Sequence, residues 1–266
     1  MEIKGKIILV TGGANGIGKA LCEKFASEGA EKIYVADIDF ETAEKVAESI
    51  GGKALRLDVA DEANCKTVVE EIVHESGKLD FIASNAGIGG AEGSLEVSNE
   101  VWRKIYEINV LSHVYLARAA FPAMLENGSG AFLITASAAG LLTHPTATPY
   151  VVTKHAAVAL AESFAVEFGG RGIYVSCLCP QGVRTDLITG GENNPNSFLV
   201  PESISAEDCA DAVVKSLEAE KFLILPHEAV GDYIVKKAEN RDRWLGAMRK
   251  IRASVLDERE KFSAHN

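Results

Sequence analysis

The segment that decides the fold is Lys6 to Ser27, KIILVTGGANGIGKALCEKFAS. Lys6 to Val10 is a short β-branched and apolar run, the signature of a strand buried on both faces, while from Ile17 onward the apolar residues recur at helical spacing. Between them lies TGGANGIG, Thr11 to Gly18. A strand that passes through a glycine-rich turn into a helix is the opening of a strand-helix-strand unit. Gly12, Gly16 and Gly18 remove side chains that would hold a pyrophosphate away from the backbone N–H groups and the positive end of the helix dipole, with Asn15 and Ile17 in the same turn. A triphosphate-binding loop is the rival, since Gly13, Gly18 and Lys19 fit its spacing. It fails at the next residue, where Ala20 replaces the hydroxyl that would face Mg²⁺.

The same alternation continues outward. Strands are predicted near Lys32–Ala36, Ala54–Leu57, Leu79–Ser84, Ala131–Thr135, Ile173–Leu178 and Phe222–Leu225, and helices near Glu41–Ser49, Glu62–Ser76, Asn99–Leu125, Pro149–Phe168 and Ala206–Glu218. Parallel neighbours need crossovers, and right-handed crossovers cover both faces of a sheet. The expectation is an α/β, Rossmann-type doubly wound, seven-stranded parallel sheet forming a single domain over residues 1–266. Residues 186–205, rich in Gly, Asn and Pro, are a candidate substrate loop, and about 228–266 is a helical extension in which Trp244, Met248, Ile251 and Val255 form an apolar stripe.

The second strand ends at Asp37, where a dinucleotide fold places the acid that accepts from the adenosine ribose hydroxyls. A carboxylate there repels a 2′-phosphate, and neither Asn15 nor the following Ile38 is basic. NAD is therefore expected rather than NADP.

Pro149 opens a helix that carries Tyr150 and, one turn later, Lys154, so both side chains share a face; Ser137 lies upstream at the end of a strand. Hydride transfer between a carbinol carbon and nicotinamide requires a proton to leave or join the oxygen near neutral pH. A phenol of pKa about 10 serves only if the phenolate is favoured, which a nearby ammonium and a positive nicotinamide ring do. Ser137 can hold the same oxygen in line. Tyr233 and Lys237 repeat the spacing, but Glu220 stands where the serine would be, so that pair reads as ordinary helix surface.

Composition narrows the class further. The 266 residues carry 27 Lys+Arg against 38 Asp+Glu, a net charge of −11, which repels nucleic acid and anionic membranes. Five scattered cysteines argue against a disulfide framework and for a reducing compartment. The apolar run Ile7–Val10 is too short for a signal-peptide core, and no run is long enough to span a membrane, so a cytoplasmic location is expected. No metal-ligand cluster is evident among the six histidines.

Taken together, these motifs resemble the short-chain dehydrogenase/reductase family, in its compact single-domain branch, over about Gly5 to Pro226. The turn is similar to the family's TGxxxGxG, Asp58 and Val59 to its pair at the adenine, and SNAG at Ser84–Gly87 (with Asn85, Ala86 and Gly87) to its NNAG strand end. Trp102 and Asn109 match its W-x6-N spacing. The resemblance implies Tyr150 as acid/base, Ser137 as substrate orienter, Lys154 on the nicotinamide ribose, and Asn109 holding a water that passes protons from Lys154 to solvent. It also implies a homodimer or homotetramer built through the two long helices. Pro180, Gly182, Val183 and Thr185 resemble the family's Pro-Gly-x-Val-x-Thr segment, with Val183 and Thr185 against the nicotinamide carboxamide, whereas Gln181 replaces a glycine.

The expected activity is NAD-dependent interconversion of a secondary alcohol and a ketone. Substrate-pocket candidates are Ile88, Leu141, Leu142, His144, Pro145, Gln181 and Leu187, which favours a hydrophobic or alicyclic small molecule. A non-catalytic NAD-binding sensor or scaffold is the alternative, and it would be expected to lose the tyrosine-lysine pair, which is intact here. The stripe is expected to pack on the body or on a neighbouring subunit, and the forty residues after Pro226 to cover a neighbouring subunit's cleft or add to an oligomer contact.

Overall fold

The computed structural model describes residues 1–89, 92–185 and 199–263. Seven parallel strands, β1 (Ile7–Thr11), β2 (Lys32–Asp37), β3 (Lys53–Arg56), β4 (Phe81–Ser84), β5 (Gly130–Thr135), β6 (Ile173–Leu178) and β7 (Leu223–Ile224), lie in the order β3-β2-β1-β4-β5-β6-β7. Val10 pairs with Val35 on one side and Ala83 on the other, so β1 sits at the point where the strand order reverses. The carboxyl ends of β1 and β4 diverge there into a crevice, the place where such sheets bind ligands.

Alternation along β1 shows how the layers are built. Ile7 and Leu9 enter a core with α3 (Glu62–Ser76), α5 (Ser112–Glu126) and α6 (Thr148–Phe168), while Ile8 and Val10 enter the opposite core with α1 (Gly16–Ser27), α2 (Phe40–Ile50) and α7 (Ala206–Glu218). Local chemistry fixes the helix ends. Asp61 caps α3 by accepting from the Ala63 and Asn64 N–H groups, and Ser205 and Asp208 form a reciprocal capping box at α7. Edge-on contacts of Phe121 with Phe132 and Phe168, at centroid distances of 5.3 and 5.0 Å, tie α5, β5 and α6 together.

One expectation needs correction. The helix predicted over Asn99–Leu125 is α4 (Asn99–Tyr106), a π-helical turn at Glu107–Leu111, and then α5. The wider turn presents Asn109 to backbone that it must satisfy, a use to which π-turns are commonly put. The C-terminal extension forms α8 (Ala229–Glu239) and α9 (Arg241–Ser263), and it folds over its own chain: Val230 packs with Ala138 and Leu142, joined by Tyr233 and Trp244, in a third small core. Within the apolar stripe Val255 is buried and Trp244 and Met248 are half-buried, while Ile251 stays 43% exposed.

Among the described residues no helix is long and apolar enough to cross a membrane. All five cysteines are buried free thiols, and Cys177 and Cys179 sit with sulfurs 3.7 Å apart.

Candidate active site

The crevice at the carboxyl ends of the strands is a cleft of about 380 Å³. At its centre α1 begins without a cap: Asn15 makes no side-chain bond to the first turn, and that turn carries no acid. Free N–H groups and the positive helix end therefore face the space lined by Gly12, Asn15, Gly16 and Ile17, which suits a phosphate. Gly18 lies outside the lining and serves the turn itself, since a Cβ there would stand 1.9 Å from the Gly12 carbonyl oxygen.

Asp37 lies at one end of the cleft with Ile38, Asp58 and Val59. One carboxylate oxygen of Asp37 accepts from the Ala14 N–H at 3.1 Å and the other from Asp39 at 3.0 Å, so the acid also ties the glycine-rich turn to β2. Arg56, directly opposite Asp37 in the β2–β3 register, donates to the Ile38 carbonyl at 3.1 Å. Leu57 joins the wall as well. The SNAG segment is held by the first residue of the glycine-rich motif: the buried Thr11 hydroxyl accepts from the N–H groups of both Asn85 and Ala86. Ser84, where the resemblance would have asparagine, meets the buried His113 Nδ1 at 2.6 Å, and burial lowers that ring's pKa to about 3.

At the other end stand Ser137, Tyr150 and Lys154, with Thr135, Pro180, Val183 and Thr185 along the wall. Ser137 follows β5, and its Oγ accepts from Ala139 N–H at 3.1 Å. The short helix Ala138–Gly140 after it packs directly on α6, which is possible because residue 140 is glycine: a Cβ would stand 2.3 Å from the Lys154 carbonyl oxygen. That close approach brings Ser137 to Tyr150. Burial raises the Tyr150 phenol above its ordinary value, and the Ser137 hydroxyl opposes this by hydrogen bonding. The Lys154 ammonium donates to the Thr135 carbonyl at 2.9 Å and lies 5.7 Å from the Tyr150 ring centroid; burial lowers its pKa to about 8.

Asn109 lines neither cavity. Its Oδ1 accepts from Ile88 N–H, and its Nδ2 donates to the Ile88 carbonyl and the Thr153 hydroxyl. The side chain is thus committed to protein. Ile88 itself lines the cofactor cleft beside Gly87 rather than the substrate cavity.

A second, more apolar cavity of about 430 Å³ opens from the Ser137–Tyr150 end. Leu142, His144 and Pro145 line it, Leu141 lies behind it, and Leu187 is outside the described residues. Its roof comes from the C-terminal helices: Tyr233, Trp244, Met248 and Ile251. Tyr233 is thus wall rather than surface, and Lys237 donates to the Leu141 carbonyl at 2.6 Å, pinning α8 beside the cavity. Arg252 does the same for α9 on the Pro145 carbonyl at 2.7 Å. Gln181 borders both cavities, and Gly182 lies behind the wall. Among the described residues no group of three or more His, Cys, Asp or Glu is placed to hold a metal ion.

A dinucleotide cleft that ends on a serine, a tyrosine and a lysine beside an apolar chamber is the architecture of a nicotinamide-dependent oxidoreductase. The profile of the short chain dehydrogenases matches residues 6–195, and the chain belongs to that family. It is 33% identical over 236 residues to the mitochondrial borneol dehydrogenase of Lavandula x intermedia, covering 87% of this chain and 90% of that one. It is 39% identical over 197 residues to a 2,5-dichloro-2,5-cyclohexadiene-1,4-diol dehydrogenase of Sphingobium indicum, covering 73% and 78%. A short chain dehydrogenase/reductase from Burkholderia phymatum, solved in complex with NAD, superposes with a TM-score of 0.83 at 26% identity over 91% of this chain and 96% of that one. The chain is an oxidoreductase of the alcohol dehydrogenase kind, and its cofactor is a nicotinamide dinucleotide.

Proposed function

We propose that this protein interconverts a hydrophobic or alicyclic secondary alcohol and its ketone with NAD, using Tyr150 as acid/base. The carrying observation is that Ser137 and Tyr150 border both cavities, so an alcohol in the apolar chamber presents its oxygen to both hydroxyls where the two spaces meet. When bound, the nicotinamide ring supplies the hydride acceptor, or in its reduced form the donor. Ser137 orients the substrate oxygen, and Tyr150 takes the hydroxyl proton as the carbinol C–H bond breaks, or returns it in reduction. Lys154 holds the nicotinamide ribose and, as a cation, favours the phenolate. Asn109 steadies the Ile88 peptide and holds a water that passes protons from Lys154 to solvent.

Asp37 supports NAD over NADP, because a carboxylate that accepts from the ribose hydroxyls repels a 2′-phosphate. The apolar chamber, together with relatives named for borneol and for a cyclohexadienediol, supports an alicyclic substrate. Buried free thiols fit a reducing compartment such as the cytoplasm. Val101 and Tyr106 on α4 and Val152 and Val166 on α6 expose large apolar surface, which fits a homodimer or homotetramer joined through these helices.

Titration with NADH and NADPH, followed by nicotinamide fluorescence, tests the cofactor assignment without a known substrate. Clear preference for NADH is expected; preference for NADPH would remove Asp37 as discriminator, and binding of neither would overturn the proposal.

A further inference from the structure

Ser137, Tyr150 and Gln181 are the three lining residues shared by the cofactor cleft and the substrate cavity. They surround the place where a carbinol carbon would meet the nicotinamide. Ser137 and Tyr150 are engaged by the reacting oxygen. Gln181 stands where the family pattern has glycine, so its side chain is an addition to that junction.

The backbone beneath it is fixed with unusual care. Gln181 donates its N–H to His227 Nδ1 at 3.2 Å, while Nε2 of the same ring donates to the Gly182 carbonyl at 3.0 Å. One imidazole thus bridges the backbone on either side of the Gln181–Gly182 peptide, and burial lowers its pKa. In contrast, the Gln181 side-chain amide makes no hydrogen bond among the described residues. A half-buried primary amide that can donate twice and accept twice thus stands beside the Ser137 and Tyr150 hydroxyls without a hydrogen-bond partner among the described residues.

We propose that Gln181 is a specificity-determining residue that hydrogen-bonds a second substrate oxygen, on the carbon next to the one oxidised. The preferred substrates are then ring-bearing vicinal diols, oxidised to the corresponding α-hydroxy ketones. The second oxygen is adjacent because Gln181 shares the junction with Ser137 and Tyr150 rather than lying deeper, where Trp244 and Met248 close the roof. His227 is a positioning residue that acts through the Gln181 backbone. This inference rests on the secondary-alcohol reading above.

The test compares kcat/KM for cyclohexane-1,2-diol and cyclohexanol with NAD in the full-length protein, Gln181→Leu and His227→Leu, with NADH affinity measured by fluorescence for each. In Gln181→Leu the diol should lose about tenfold relative to cyclohexanol, the worth of one neutral hydrogen bond, with NADH affinity unchanged. His227→Leu should reproduce a loss confined to the diol. Equal losses for both alcohols would overturn the inference, as would a loss of NADH affinity in Gln181→Leu, which would assign the amide to the cofactor. Wild-type protein that oxidises neither alcohol would remove the secondary-alcohol reading together with this inference. Wild-type protein that oxidises cyclohexanol, with no change of preference in the variants, would remove this inference alone.

Discussion

Asn109 grips Ile88 from both sides of its peptide, accepting from the N–H at 2.9 Å and donating to the carbonyl at 3.0 Å. The wall of the cofactor cleft after β4 is therefore fixed by a side chain that never enters the cleft. Asn109→Leu would leave the Ile88 N–H and carbonyl and the Thr153 hydroxyl without this partner in a buried site. A loss of about 2–4 kcal/mol in unfolding free energy is expected, measured by urea denaturation at neutral pH. Unchanged stability would show that the clamp is dispensable.

Lys154 sets function against stability. Its pKa is lowered to about 8 by burial, below the ordinary 10.5, so the cost of holding the ammonium in the interior is fully present below pH 8. Between pH 8 and 10.5 the unfolded chain binds the proton that the folded chain has released, so this group makes stability rise with pH through that window. Lys154→Met should accordingly be more stable than wild type by about 2 kcal/mol at pH 7, after allowing for the lost bond to Thr135, with the difference shrinking towards pH 10. Paired denaturation curves at the two pH values check this. A variant less stable than wild type at pH 7 would show that the buried charge is compensated.

Asp37 and Arg56 face each other across the β2–β3 register, which gives cofactor choice a simple handle. Asp37→Ser removes the carboxylate that repels a 2′-phosphate and leaves the guanidinium in place. NADPH affinity should rise by about tenfold or more relative to NADH, as read by fluorescence titration. An unaltered preference would place the discrimination elsewhere.

The C-terminal helices line this chain's own cavity. Trp244→Ala should raise KM for a bulky alicyclic alcohol by about tenfold, the scale of losing a buried aromatic contact, while the sedimentation coefficient and NADH affinity stay as they are. A fall in sedimentation coefficient would instead place α9 in a subunit contact.

Much of the fold is legible in the sequence because its signals are local. Strand runs such as Ile7–Val10 and the glycines of Thr11–Gly18 report their own conformation, and the spacing of Tyr150 and Lys154 puts them on one helical face whatever surrounds it. The π-turn at Asn109 is invisible because one extra residue in a turn leaves the apolar pattern nearly unchanged. The stripe of Trp244, Met248 and Ile251 announces burial without naming the surface it meets. Tyr233–Lys237 has the same spacing as Tyr150–Lys154, and only the tertiary contact of Lys237 with Leu141 shows that it builds a cavity wall. Thr11 and His227 act through backbone groups far away in sequence, which no local pattern encodes.

The central claim is that hydride and proton leave one carbinol group, the proton by way of Tyr150. The most direct measurement follows an alicyclic secondary alcohol, deuterated at the carbinol carbon, incubated with NAD and wild-type or Tyr150→Phe protein, with both products analysed by mass spectrometry. Wild type should yield the ketone and deuterated NADH in equal amounts. Tyr150→Phe should lose at least about 100-fold in kcat and still bind NADH with unchanged affinity. Sustained turnover by Tyr150→Phe, or ketone formed without deuterium reaching the nicotinamide, would contradict the mechanism.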